Sequence, residues 1–268
     1  MTEMTASAGH KPPNFRDPEQ WHLTGDFIDS CLQSAGQSFR EGELAYLAMT
    51  SLIENHVRDR VAYEMHRRLS GKRLDVGREW TGLDTRGENG KPARRAVDLA
   101  VVSKPIRRDP DRVPLPDGVV EFKAEYMHKA RQPHQLNIIY RKVLQDVKKS
   151  LTWEHAIMGE VFSVMLLPSL RIVSNRLPHQ IMQKIEDKVR YDDAMRRLGK
   201  FSDSGTVQEV AKRLAPLGSV REGLIDAGTE CGVGVTVPYV ILGPVSTETF
   251  ENPPTLERLP RQRAQQGK

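Results

Sequence analysis

The spacing of apolar residues predicts helices on both sides of a group of strands. Apolar residues recur every four positions between Glu43 and Leu69, which predicts one long helix because this spacing puts them on a single helical face. A second helix is predicted from Gln135 to Glu154 by the stripe Leu136, Ile139, Tyr140, Val143, Val147 and Leu151. Residues 178–198 and 206–214 predict two further helices, the first of them entered at a proline.

Alternating or continuous apolar runs predict the strands. Residues 74–80 give a short strand, residues 94–103 one rich in Val and Leu, and residues 118–126 one that alternates cleanly. The run at 160–170 predicts a buried strand that ends at Pro168, and the run at 233–246 a late strand whose Pro238 indicates an edge position. Helix, three strands, helix and strand follow one another, which predicts an α/β fold with a central mixed sheet flanked by helices.

The composition divides the chain into a compact middle and polar ends. We expect an N-terminal arm and lead-in over 1–42, a core over 43–173, further helices and a strand packed on it over 174–247, and a disordered basic tail over 248–268. No apolar run approaches the roughly 18 to 20 residues that span a bilayer, and the N-terminus lacks the order of a secretory signal. We therefore expect a cytoplasmic protein without a membrane span. Cys31 and Cys231 lie too far apart in sequence to indicate a disulfide framework or a Cys-based zinc site.

The net charge of +5 and the pI of about 9.2 suit a polyanionic partner, although they do not require one. Basic stretches cluster around residues 94–149, and another occupies the C-terminal tail. They would contact phosphate as readily on DNA as on RNA. They would equally serve as solvated faces.

Two predicted strands carry acids and a lysine in a pattern that suits phosphodiester cleavage. Glu121 and Lys123 project from one face of their strand, while Val120, Phe122 and Ala124 project from the other. Pairing this strand with the preceding one would bring Asp98 beside Glu121. Mg²⁺ prefers carboxylate oxygens, and a nearby lysine can orient the attacking water and stabilise charge on the phosphorane. A mid-strand Asp98 could instead form a salt bridge with Arg94 or Arg95.

The element order and these residues together resemble the PD-(D/E)XK, or restriction-endonuclease-like, nuclease superfamily. The resemblance covers about Glu43 to Ser169 and implies a core in α-β-β-β-α-β order. It implies metal binding by Asp98, Glu121 and the Phe122 carbonyl, with Lys123 at the water and the phosphate. The literal Pro-Asp of the family name occurs as Pro116-Asp117, too close to Glu121 for paired strands, so it is interpreted as the turn into the third strand.

The same resemblance implies an acid on the first helix, for which the sequence offers two residues. Glu54 falls within about 20° of Val61 and Met65 on a helical wheel, and Glu64 falls near Val57. Glu54 is preferred because it lies well before the end of the helix, although either glutamate could lie at the border of the apolar stripe.

Other residues near the motif give weaker indications. Gln135 and Tyr140 loosely resemble the Gln/Tyr motif of some exonuclease branches, with a spacing one residue longer. Asp146 to Lys149 could reach backbone phosphates or form a solvated helix face. His128 could assist substrate binding.

The predicted function is Mg²⁺-dependent hydrolysis of phosphodiester bonds, with DNA endonuclease action favoured and Mn²⁺ expected to substitute. Lys123 would lie near both the metal and the phosphate, where positive neighbours are expected to lower its pKa. The alternatives are a ribonuclease, a structure-specific nuclease, or a catalytically idle nucleic-acid-binding or scaffold protein of the same fold. A homodimer would suit cleavage of both strands of a duplex, although no sequence feature shows one.

Overall fold

The fold is an α/β arrangement with a mixed seven-stranded sheet between two layers of helices. The computed structural model describes residues 21–81, 84–86, 92–94, 96–103, 116–151, 160–174, 188–190 and 202–245. The helices are α1 (Gly25–Gln37), α2 (Glu43–Thr50), α3 (Glu54–Leu69), α4 (Met127–Ala130), α5 (Pro133–Leu151) and α6 (Asp203–Leu214). The strands are β1 (Leu74–Trp80), β2 (Asp84–Arg86), β3 (Pro92–Arg94), β4 (Val97–Ser103), β5 (Pro116–Ala124), β6 (Glu160–Leu166), β7 (Ser169–Ile172), β8 (Val220–Glu230) and β9 (Val233–Val245).

The sheet runs in the order β1-β4-β5-β6-β9-β7, and β8 pairs with β9. Strands β1, β4 and β5 form an antiparallel meander, β6 lies parallel to β5, and β9 returns antiparallel to β6. Because α5 connects β5 to the parallel β6, the connection crosses one face of the sheet as a βαβ unit does. Strands β2 and β3, which lie between β1 and β4 in the sequence, form a separate two-stranded ribbon.

Two hydrophobic layers sandwich the sheet. Helices α1, α2 and α3 cover one face, against which Val120, Phe122 and Ala124 of β5 pack. Helices α5 and α6 cover the other face, where Val119 of β5 packs. This is the alternation predicted for residues 118–126, and it leaves Glu121 and Lys123 on the α5 side.

The predicted single helix from Glu43 to Leu69 is wrong, because the chain breaks it between α2 and α3. Ser51 is extended (φ −152°, ψ 170°), and the hydroxyls of Thr50 and Ser51 both donate to carbonyls one turn earlier. Such local bonds offer the backbone an alternative to the helix ladder. The Tyr126 hydroxyl then donates to the carbonyls of Ala48 and Ser51, which the ended helix leaves without an intrahelical partner. The break makes Glu54 the first residue of α3.

The predicted edge position of the late strand is also wrong, because β9 lies between neighbours on both sides. One side of β9 pairs with β8, and the other pairs with β7 up to Thr236 and with β6 from Tyr239 onward. Pro238 falls at the junction of these two partners, where its missing N–H costs no ladder bond. Its carbonyl still accepts a 2.8 Å hydrogen bond from the backbone N–H of Leu167.

The remaining outcomes concern single elements. The strands predicted around 74–80, 94–103, 118–126 and 160–170 and the helix at 206–214 are confirmed as β1, β4, β5, β6 and α6. Pro116 and Asp117 belong to β5 itself rather than to a turn before it. The sequence did not predict α1, β7 or β8. The arm before residue 21, most of the helix predicted at 178–198 and the tail after residue 247 lie outside the described residues.

Two smaller expectations can be compared with the described residues. Both cysteines are free thiols, and burial raises the pKa of Cys31 to about 11. None of the helices in the described ranges has the length and hydropathy of a bilayer span.

Candidate active site

Asp98 and Glu121 lie next to each other where β4 begins and β5 continues past it. The register pairs Leu99 with Val120, so one step further it sets Asp98 opposite Glu121. Residues opposite each other on antiparallel strands share a face. Asp98 Oδ2 also accepts a 2.7 Å hydrogen bond from the backbone N–H of Phe122. The predicted pairing of the two strand acids is therefore present.

Glu54 reaches the same place from the first turn of α3. Its Oε2 accepts a 2.9 Å hydrogen bond from the backbone N–H of Ala124, and its Oε1 lies 3.6 Å from Lys123 Nζ. The paired residues of β4 and β5 reach Val120, so Phe122 and Ala124 lie beyond them. The Asp98 carboxylate accepts the hydrogen bond of the Phe122 N–H, and the Glu54 carboxylate accepts that of the Ala124 N–H. Burial raises the pKa of Glu54, and Lys123 and the Ala124 N–H oppose that rise. The carboxylate is thus held close to the strand acids.

The structure separates the two helix acids that the sequence offered. Glu64 is buried on α3, where Oε2 lies 2.9 Å from Arg67 Nη2 and 4.0 Å from Arg68 Nε. These ion pairs engage Glu64 two turns or more away from Glu54. The structure brings Glu54 to the strand acids and gives Glu64 partners within its own helix.

Glu121 is the most deeply buried acid of the group, with 2% of the residue exposed. Lys149 Nζ lies 2.8 Å from its Oε1, and the Ser150 hydroxyl donates to the same oxygen at 3.1 Å. Burial raises the pKa of Glu121 to about 7; the contact with Lys149 opposes the rise, and repulsion from Asp98 and Asp146 adds to it. The charge of Glu121 therefore depends on pH near neutrality.

Lys123 is surrounded by acceptors rather than by cations. Its Nζ donates to the Phe122 carbonyl at 2.8 Å and lies 3.1 Å from Asp146 Oδ2 on α5. Burial alone would lower the pKa of this lysine, but Glu54, Asp146 and Asp98 outweigh it, and the net shift is upward. The lowered pKa expected beside a bound metal ion stays a prediction, because the neighbours that act on Lys123 here are the carboxylates of Glu54, Asp146 and Asp98.

Arg58 is a member of the site that the sequence reasoning missed. Its Nη1 lies 3.2 Å from Asp98 Oδ1, and the guanidinium also pairs with Asp59 at 3.2 Å and with Glu79. Glu79 lies in the left-handed backbone region (φ 47°), on β1 beside the start of β4. The side chains of Arg94 and Arg95, the partners considered for Asp98, lie outside the described ones. The sequence signal that could have indicated Arg58 is its spacing, because it follows Glu54 by one helical turn and so lies on the same side of the helix.

The weaker candidates lie in other surroundings. Tyr140 is buried among the apolar residues between α5 and α6, and Gln135 Nε2 contacts the His134 ring at 3.0 Å. His128 stacks on Tyr126 with ring centroids 5.6 Å apart. Burial, together with Lys129 and Lys188, lowers the pKa of His128 to about 4, so its ring is neutral at neutral pH. A neutral ring offers no positive charge to a phosphate.

The donor atoms at this site are of the kind that Mg²⁺ prefers. Asp98 and Glu121 supply carboxylate oxygens. The Phe122 carbonyl supplies a third oxygen, which accepts a hydrogen bond from Lys123 Nζ. All of these are hard oxygen donors. In the part of the chain that the structure describes, no three His, Cys, Asp or Glu side chains are already grouped as a metal would hold them. The residues fit a magnesium ion by chemistry, while their oxygens are now turned to Arg58, Lys123 and Lys149.

Comparisons of the chain with models of known protein families, with curated proteins and with solved structures found no match. A function for the chain is therefore inferred from the residues and contacts of this site.

Proposed function

We propose that the chain is a metal-dependent nuclease that hydrolyses phosphodiester bonds, with DNA as the favoured substrate and a restriction-endonuclease-like core as its fold. One observation carries the proposal. Asp98 and Glu121 stand opposite each other at the point where β4 ends its pairing with β5, with Lys123 two residues along β5 and Glu54 entering from α3. Four functional groups, carried by α3, β4 and β5, therefore converge where the pairing of β4 with β5 stops.

The topology supports the proposed fold. From α3 the chain runs through the antiparallel strands β1, β4 and β5, then α5, and then β6 parallel to β5. This is the α-β-β-β-α-β order that the resemblance implies, once the short ribbon β2–β3 and the short helix α4 are set aside. Helices α1, α2 and α6 and strands β7 to β9 would be additions to that core.

Each residue would have a definite task in phosphodiester hydrolysis. Asp98, Glu121 and the Phe122 carbonyl would hold Mg²⁺, which when bound supplies charge neutralisation at the scissile phosphate and a more acidic water. Lys123 Nζ and Glu54 Oε1 form an ion pair at 3.6 Å, so both groups would lie on the same side of an attacking water and could orient it together. The raised pKa of Lys123 keeps it positively charged at neutral pH, which suits stabilisation of negative charge on the phosphorane.

A catalytically idle scaffold is the competing function, and the ion pairs of the site favour it to some degree. Each carboxylate of the group has a cationic partner, as in a structural network. Such a network would be expensive to build without a use, because taking charges out of water costs several kcal/mol per ion by order of magnitude. Within this group of acids the cost is greatest at Glu121, which is 2% exposed, and it is the reason that burial raises the pKa of that carboxyl.

The proposal is tested by incubating the purified protein with plasmid, linear duplex, single-stranded DNA and RNA. Each substrate is offered with Mg²⁺, with Mn²⁺ and with a chelator. We expect metal-dependent cleavage that the chelator stops, with duplex DNA cut best. Cleavage of RNA alone would assign a ribonuclease of the same fold, and binding without cleavage under every metal would assign the scaffold.

A further inference from the structure

The oxygens assigned to the metal all contact cationic side chains of the protein itself. Arg58 Nη1 lies 3.2 Å from Asp98 Oδ1, Lys149 Nζ lies 2.8 Å from Glu121 Oε1, and Lys123 Nζ lies 2.8 Å from the Phe122 carbonyl oxygen. A divalent ion on the last two oxygens would stand within a few ångströms of both ammonium groups. Like charges repel strongly at such distances in a partly buried site. A metal ion bound at these two oxygens would therefore displace the two ammonium groups from them.

Asp146 on α5 lies where the withdrawing lysines could go. Its Oδ2 lies 3.1 Å from Lys123 Nζ, and its Oδ1 lies 4.0 Å from Lys149 Nζ. The side chain is 21% exposed, so its charge is only partly screened by solvent. It already contacts both ammonium groups, and it is not one of the acids on the strands.

We propose that Lys123 and Lys149 are built-in counter-ions of the metal site, and that Asp146 is the positioning residue that draws them off the ligand oxygens when a divalent cation enters. This inference rests on the proposed function, because it takes Glu121 and the Phe122 carbonyl as metal ligands. In the metal-free protein the lysines keep the buried acids from repelling one another. Metal binding then exchanges one kind of cation for another at the same oxygens.

A fixed structural network is the other explanation for these contacts. Lys149 Nζ also donates to the Ala96 carbonyl at 3.0 Å, and Ser150 contacts Glu121, so the corner could be rigid. The two explanations differ in one respect. A competing lysine lowers the affinity for metal and its removal tightens binding, whereas a fixed strut only stabilises the fold and its removal leaves binding unchanged or weaker.

The experiment measures Mn²⁺ binding to the full chain by calorimetry for wild type, Lys149→Met and the control Lys129→Met at a series of pH values, and it compares the affinities at the high-pH plateau, where Glu121 is ionised in each protein. Lys129 is a matched control because it forms a 2.9 Å ion pair with Glu125 and is 43% exposed, away from the ligand oxygens. We expect Lys149→Met to bind Mn²⁺ about five- to tenfold more tightly, because the metal no longer displaces an ammonium group from Glu121 Oε1. We expect Lys129→Met to remain within about twofold of wild type. Repeating the titrations at high salt removes the long-range share of the difference and leaves the contact.

Asp146→Asn supplies the opposite arm. Without the negative charge at this position the lysines are drawn away less strongly and stay on the ligand oxygens, so Mn²⁺ should bind about five- to tenfold more weakly than to wild type. In the double variant Lys149→Met/Asp146→Asn most of that loss should be recovered. Should Lys149→Met fail to fold by circular dichroism, Lys123→Met carries the same expectation of tighter binding, because its ammonium contacts the Phe122 carbonyl.

Two failures can be told apart. If wild type binds no divalent cation, the proposed metal site is wrong, and this inference is wrong with it. If wild type binds Mn²⁺ and cuts nucleic acid, but Lys149→Met binds no more tightly than Lys129→Met, the counter-ion role is wrong and the nuclease proposal stands.

Discussion

The Asp98 carboxylate accepts a 2.7 Å hydrogen bond from the backbone N–H of Phe122, at the start of β4 and beside the last part of β5. The bond ties the acid of one strand to the main chain of the next, immediately beside Glu121. It fixes the Asp98 carboxylate at the uncovered edge of β5 and leaves its second oxygen to Arg58. The same edge holds Glu54 on the Ala124 N–H. The site is thus built on backbone groups as well as on side chains.

Removal of either strand acid should abolish cleavage. Asp98→Asn and Glu121→Gln keep the size of each side chain but lose a charged ligand, so metal-dependent cleavage should fall by at least about two orders of magnitude. Gel assays of plasmid cleavage measure the rate, and circular dichroism checks the fold. Calorimetric Mn²⁺ binding that survives in the double variant would remove the proposed metal site.

The helix acids should separate cleanly by assay. Glu54→Gln should lower cleavage by at least about tenfold, because the carboxylate faces Lys123 and the strand acids. Glu64→Gln is the matched control on the same helix and should leave the cleavage rate near wild type, because Glu64 pairs with Arg67 and Arg68 of its own helix. Equal and minor effects of the two changes on cleavage would return both residues to a purely structural role.

Arg58 should matter for stability because it is nearly buried among carboxylates. Its side chain is 9% exposed, and it pairs with Asp98, Asp59 and Glu79. Arg58→Met would leave these acids facing one another, so we expect a loss of about 3 kcal/mol in the free energy of unfolding. Urea unfolding followed by circular dichroism measures it, with Arg67→Met as an exposed-arginine control. A loss no greater than that of the control would show that the carboxylates do not depend on Arg58.

Glu121 should impose a pH dependence on the metal-free protein. Its pKa is raised from the ordinary value of 4.5 to about 7, so between these values the folded state holds a proton that the unfolded state releases. Its contribution to stability is therefore fully present below about pH 4.5 and is lost as the pH rises through 7. Metal binding needs the carboxylate and should strengthen over the same range.

Thermal unfolding across pH 4.5 to 8 for wild type and Glu121→Gln isolates this effect, since the difference between the two curves reports the one titration. We expect the melting temperature of wild type, relative to that of the variant, to fall as the pH rises from 4.5 through 7. A difference that stays constant with pH would contradict the raised pKa.

Local patterns predicted most of the strands that carry the site, and long-range packing decided the rest. The alternation in residues 118–126 placed Glu121 and Lys123 on one face, and the structure confirms it. The break between α2 and α3 escaped prediction because the apolar spacing runs through it, and because Tyr126, whose hydroxyl satisfies the freed carbonyls, is distant in sequence. The partners Arg58 and Lys149 escaped because charged residues on helices are ordinary in sequence, and only the fold shows which of them face an acid. The edge position predicted from Pro238 was wrong for a similar reason, because a proline is tolerated at the junction between two partner strands as well as on an edge strand.

The central claim, that this site cuts nucleic acid, is tested most directly by Lys123→Ala. Cleavage rate and binding affinity are measured for wild type and variant on one duplex substrate with Mg²⁺ at two salt concentrations. We expect wild type to cut and the variant to cut at least about two orders of magnitude more slowly, the usual effect of losing a positioned electrostatic group. Binding should weaken only modestly, with a salt slope smaller by about one unit. If wild type binds the duplex but cuts no nucleic acid with any divalent metal, and Lys123→Ala changes affinity alone, the nuclease account is contradicted.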